Sequence, residues 1–204
     1  MLCLSVCIFS LYGCFGEDSP TNSDGSFEGL DVTNLKRGDV VGAKYVKNET
    51  GHWIPLKFTP LSEDEFNVEV ANRAWRRAEM WVINEKGKAK KFSYEGIDGW
   101  GWFNYSFERI GECTVFLDCD ASYRYRFQST YKYDAVTGAF SRTNEDGGDM
   151  YVYFYVLGLE KKDGETYLWT SNSQYVECFV ETTKDELMEE YPYEWDEIKE
   201  MFPR

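Results

Sequence analysis

The chain has 204 residues, with 36 Asp or Glu against 22 Lys or Arg, and so a net charge of −14. A surface this acidic is repelled by nucleic acid and by anionic lipid, and neither is expected as a partner of the folded part. Aromatic residues reach 18% and there are only 5 prolines, a composition that argues against disorder. Beyond residue 29 the chain is still long enough for one domain with a sizeable core.

Met1 to Ser10 is apolar and uncharged, and Leu11-Tyr12-Gly13-Cys14 follows it. An apolar run this short does not span a bilayer, which takes about 20 residues. It suits the apolar region of a signal peptide. Residues 15–29 then switch to a Gly-, Ser- and Asp-rich stretch with no core-forming period, as in a tether. With Leu at −3, a small residue at −1 and then Cys14, the run resembles the lipobox of bacterial lipoproteins. The resemblance implies that residues 1–13 are removed, that Cys14 is acylated, and that residues 14–37 form a lipidated tether holding the protein at a membrane. It departs from the pattern in having no Lys or Arg before the apolar stretch. A plain secretory signal, or a buried first strand, is the alternative reading.

From residue 38 the prevailing period is two. Val40–Val46, Trp53–Phe58 and Phe66–Val70 read as short strands. Met80–Asn84 and Ala89–Tyr94 flank a turn at Glu85-Lys86-Gly87, and Trp100–Glu108 and Cys113–Asp118 follow. In residues 123–133, Tyr123, Tyr125, Phe127, Tyr131 and Tyr133 share one parity and polar residues take the other, with a break expected at Ser129. Asp134 to Gly138 reads as a hairpin turn before a return strand at 139–143. Tyr151–Leu159 is apolar on both parities, as in a strand covered on both faces. Tyr167–Thr170 and Tyr175–Glu181 close the series. Helix is expected only at the end: Thr183 and Glu186 fit a capping box ahead of Lys184–Glu190, and Trp195–Met201 supplies a further turn or two. About ten antiparallel strands in one domain, residues 38–204, predict a sandwich or a barrel.

Tyr131-Lys-Tyr-Asp-Ala-Val-Thr-Gly-Ala-Phe140, Tyr151 to Leu159 and Tyr167-Leu-Trp169 together resemble the lipocalin-like lipoproteins of Bacteroidetes. That resemblance implies an all-β fold, an antiparallel lipocalin-like barrel or strongly bent sheet with a short C-terminal helical segment. It implies an outer-membrane lipoprotein and no settled ligand. Glu17 and Asp18, shortly after Cys14, resemble the acidic signal that sends such lipoproteins to the cell surface. The family's Gly-x-Trp opening strand is absent, and Gly38 to Tyr45 occupies its place without Trp.

Candidate chemistry is sparse. Cys3 and Cys7 leave with the signal, and Cys113, Cys119 and Cys178 cannot pair completely, so buried free thiols are expected. With no CxxC and His52 as the only histidine, neither zinc nor any other cofactor is expected. Trp100, Trp102 and Tyr105 concentrate aromatic area beside Gly99 and Gly101, as at a barrel mouth that stacks on a glycan or encloses a small apolar ligand. Core packing uses the same residues. Arg76 and Arg77 are the candidate polar contacts, able to hold a carboxylate. The acidic loop Asn144 to Asp149 offers oxygen ligands without the spacing of an EF-hand. No triad, nucleophile motif or paired carboxylate stands out, so a non-enzyme is expected. A membrane-tethered binding barrel leads. A structural subunit of an outer-membrane assembly competes with it, as does a secreted lipocalin glycosylated at Asn48 and Asn104. A hydrolase comes last.

Overall fold

Period-two burial dictates the architecture. The computed structural model describes residues 30, 35–92, 102–120 and 123–201. The signal, Cys14, most of the tether and Trp100 lie outside them. Helix α1 (Arg37–Gly42) and strands β1 (Tyr45–Lys47) and β2 (Trp53–Pro55) lead to helix α2 (Glu63–Glu69). Strands β3 (Ala74–Ile83), β4 (Ala89–Lys91), β5 (Trp102–Arg109), β6 (Glu112–Asp120), β7 (Tyr123–Asp134) and β8 (Ala139–Arg142) come next. Then follow β9 (Tyr151–Lys162), β10 (Glu165–Ser171), β11 (Tyr175–Thr182), helix α3 (Lys184–Glu190), β12 (Tyr193–Glu194) and helix α4 (Trp195–Met201).

β3, β5, β6, β7, β8, β9, β10 and β11 pair antiparallel in that order. β11 then pairs back onto β3, from Tyr175 opposite Val82 to Thr182 opposite Ala74, and closes an eight-stranded barrel. Eight strands leave an interior that side chains nearly fill, with room for one small ligand at most. On β7, Tyr125, Phe127, Ser129 and Tyr131 all point inward. Their alternation runs through Ser129 without the expected break, because the Ser129 hydroxyl donates to the Thr143 carbonyl at 2.9 Å.

Two helices occupy segments expected to be strands. Over Phe66–Val70 the backbone is helical, so Phe66 and Val70, four apart, share a buried face while Val68 points to solvent. Ser62 and Glu65 cap that helix reciprocally: the Glu65 N–H donates to Ser62 Oγ at 3.2 Å and the Ser62 N–H to Glu65 Oε2 at 2.8 Å. Phe66 stacks on Tyr133 at 4.1 Å between centroids, within the inner cluster shared with Leu61, Phe107 and Tyr131. Helix α2 thereby plugs one end of the barrel. Likewise α1 covers Arg37–Gly42, where Val40–Val46 reads as a strand; only Tyr45–Lys47 is extended.

The outer face of the sheet is covered in two places. Val40, Tyr45 and Trp53 pack on Trp81, Leu157, Trp169 and Cys178, which is why β9 is apolar on both parities. On the other side Leu187 and Tyr191, at the end of α3, pack on Ala74 and Phe116. The Thr183–Glu186 capping box and the helix over Lys184–Glu190 occur as the sequence predicts. Among the described residues no helix is long and apolar enough to cross a membrane.

Candidate functional site

At the end opposite α2 the interior turns polar. Inward positions there belong to Arg77 on β3, Phe103 and Tyr105 on β5, Tyr153 on β9 and Glu177 on β11. With Met80, Phe154, Asn172, Tyr175 and Phe179 they line a cavity of about 130 Å³. The barrel wall parts beside it. Among the described residues β3 pairs with β5 at Ala74 and Trp75, and a side chain takes over beyond Trp75. Asn104 Oδ1 accepts from the Arg77 N–H at 2.7 Å, and its amide donates to the Tyr191 hydroxyl at 2.6 Å.

Arg77 and Glu177 form an almost fully buried ion pair at 3.3 Å. The second Glu177 oxygen accepts from Asn172 at 2.9 Å. That carboxylate is therefore neutralised and held in place. Arg142 follows Phe140 on the inner face of β8 and is wholly buried. Its guanidinium lies 3.6 Å from the centroid of Tyr153 and 4.7 Å from that of Phe103, with Phe127 and Tyr105 farther off at 5.4 and 5.8 Å. Burial pushes the Tyr105 phenol up to about 12, against the pull of the neighbouring Arg142 charge. It stays a neutral hydroxyl at physiological pH.

Of the residues singled out in the sequence, Tyr105 and Arg77 come together at this cavity. Arg76 does not join them: it faces outward and pairs with Glu190 of α3 at 2.8 Å. The backbone of Trp102 begins β5, while Trp100 and the Trp102 side chain fall outside the described residues. Arg142 is not among the residues the sequence patterns single out. Its signal is a cation two residues after Phe140, on the apolar parity of a strand.

Other candidates have structural roles. Cys113 and Cys178 are buried free thiols; burial raises both, Cys113 to about 12, which keeps them from being nucleophiles. His52 Nδ1 lies 2.9 Å from the Thr50 hydroxyl within the β1–β2 turn. Asp146 of the acidic loop accepts from Trp195 Nε1 at 3.0 Å and so ties the loop to α4. Among the described residues no three His, Cys, Asp or Glu side chains converge as metal ligands. Asn104 is buried with its amide engaged, which leaves no place for a glycan on that side chain. Compared with protein-family profiles, with curated proteins and with solved structures, the chain matches none of them.

Proposed function

We propose that this protein is a lipid-anchored outer-membrane lipoprotein whose barrel is a cup for a ring-sized small molecule. The observation that carries the binding half is the cavity itself. Phe103, Tyr105 and Tyr153 leave about 130 Å³ beside a buried ion pair, where a purely structural barrel would pack shut. Ligand sites commonly measure about 300–1,000 Å³, whereas an apolar hole of about 150 Å³ takes benzene. The size therefore favours a single ring or a short chain over an oligosaccharide. Aromatic walls with a few convergent polar groups match the general make-up of such sites. The lipobox-like Leu11 to Cys14 and the polar stretch after it support the anchor.

Each half has its own test. Intact-mass spectrometry should find Cys14 as the acylated N-terminus, and Cys14→Ser should shift the protein from the membrane to the soluble fraction. An unlipidated N-terminus elsewhere refutes the anchor. Ligand-observed NMR should detect phenol and benzyl alcohol binding at millimolar concentration, and Tyr153→Trp, which fills the cavity, should remove the signal. Unchanged binding in that variant places the probes elsewhere.

A further inference from the structure

We propose that the Glu177 carboxylate is the receptor for a hydrogen-bond donor, so that the cup takes a neutral ring carrying a hydroxyl group. The inference rests on the cup reading above and adds to it the ligand's polar group and its charge.

The inward faces of β3 and β11 build this part of the cavity, and a bulge sets them. Cys178 pairs with Glu79 but Phe179 with Arg77, so the register passes over Ala78. The extra residue reverses the parity of β3 beyond it. Arg77 and Met80, three apart, therefore both line the cavity, while Glu79 pairs with Arg37 and Lys91 on the outside. Bulges re-aim side chains in this way beside active sites. Arg77 and Glu177 are only 7% and 8% exposed. A buried ion pair is a poor source of stability, since well-packed apolar residues of similar volume often do as well or better. Here the pair faces a cavity and not a packed core.

The polar neighbour of the carboxylate is already spent. Asn172 donates to Glu177 Oε2 at 2.9 Å, and its own Oδ1 accepts from the Gln174 and Tyr175 N–H groups at 2.9 and 2.8 Å. An ionised carboxylate has about four acceptor sites on its two oxygens. Among the described residues Glu177 has Arg77 on one oxygen and Asn172 on the other, which leaves each oxygen with capacity for a further donor. A hydroxyl hydrogen fits that capacity, because an O–H bond to a carboxylate is short and roughly twice as strong as one between neutral groups. Phe103, Tyr105 and Tyr153 provide the walls for a ring. The charge of the guest follows from the charges around it. Arg77 already balances Glu177, and Arg142 stands behind the same wall, 3.6 Å from the Tyr153 centroid. An ammonium would be a third cation beside one carboxylate and is disfavoured.

Phenol and toluene, rings of nearly equal size with and without the donor, would be titrated into the full-length protein by ligand-observed NMR. Benzyl alcohol and benzylamine form a second pair. Phenol is expected to bind at least about ten-fold tighter than toluene, the low end of what a hydrogen bond to a charged group is worth. Benzyl alcohol should likewise exceed benzylamine by at least about ten-fold. Arg77→Met combined with Glu177→Leu removes both charges at once and leaves no buried ion alone. In that double variant the phenol-to-toluene ratio should fall about ten-fold. Should it not fold, the ratio on the natural protein still decides. Toluene bound as tightly as phenol overturns the donor inference and leaves the cup standing. A ratio unmoved in the folded double variant overturns it too, and tighter binding of benzylamine overturns the neutral guest. Absence of binding by all four probes overturns both the inference and the cup.

Discussion

Phe140→Ala should lower the free energy of unfolding by about 4 kcal/mol, in the range found for aromatic truncations in tight cores. Phe140 is wholly buried and sits where the inner aromatic cluster converges. It stacks on Phe154 at 4.5 Å with the rings 6° from parallel, and on Tyr131 at 5.4 Å. It also meets Phe107 and Tyr105 edge to face at 5.7 and 5.8 Å. The truncation loses the transfer energy of the ring, leaves a cavity that flanking β-strands cannot close, and forfeits several oriented aromatic pairs. Stability of a domain totals only about 5–15 kcal/mol, so much of the margin disappears. Urea unfolding should show a lower midpoint at unchanged slope. Val136→Ala on the nearby turn, where the side chain is 86% exposed, is the control and should cost less than about 0.5 kcal/mol. A loss below about 1.5 kcal/mol in Phe140→Ala would mean that the core relaxes into the gap and that its aromatic packing is not rigid.

Strand by strand, parity carried most of the architecture. Tyr125, Phe127 and Tyr131 face inward as their spacing dictates, and β9 is apolar on both faces because Tyr45 and Trp53 cover its outside. Parity is silent on which distant strands meet, and the β11–β3 closure joins segments about a hundred residues apart. Helices α1 and α2 show how short windows fail. Phe66, Val68 and Val70 satisfy a two-residue period, yet only the four-residue pair is buried. The same Ser/Thr-x-x-Glu signature that marked α3 was present at Ser62 and Glu65 and would have decided for helix. The site was legible in part for a related reason. Adjacent residues on a strand face opposite ways, so Arg76 and Arg77 were never able to serve one pocket: one pairs with Glu190 outside, the other with Glu177 within. Applied to β8, the same rule puts Arg142 beside Phe140 in the core. What the sequence does not reveal is which acid meets which arginine inside, since that depends on which strands the closed barrel brings together.

Gly87→Ala should cost about 3 kcal/mol, whereas Gly164→Ala should cost only about 1 kcal/mol, although both glycines sit in tight turns with positive φ. Their φ values are +71° and +86°, so an alanine at either position bears similar backbone strain. The surroundings separate them. A Cβ at Gly164 meets nothing within 4 Å, while one at Gly87 would lie 2.0 Å from the Tyr45 carbonyl oxygen and 3.0 Å from its carbon. Backbone cannot swing aside as a side chain would. The turn is pinned by Gly87 N–H to Asn84 O at 2.8 Å, and Asn84 Oδ1 accepts from the Lys86 N–H at 2.9 Å. Tyr45 is pinned in turn, with its N–H on Gly87 O at 2.9 Å and its buried hydroxyl on Val40 O at 2.8 Å. Relief therefore requires β1 to leave the hairpin, which breaks the Tyr45–Gly87 bond and loosens the layer that covers Trp81, Trp169 and Cys178. Two readouts follow. Chemical denaturation gives the difference between the two glycine variants, about 2 kcal/mol. Thiol labelling gives its structural origin: burial raises the Cys178 thiol and shields it in the natural protein, so Cys178 should label faster in Gly87→Ala and unchanged in Gly164→Ala. Equal losses in the two variants, with Cys178 equally protected in both, would show that β1 yields freely and that the close approach at Gly87 does not hold the outer layer in place.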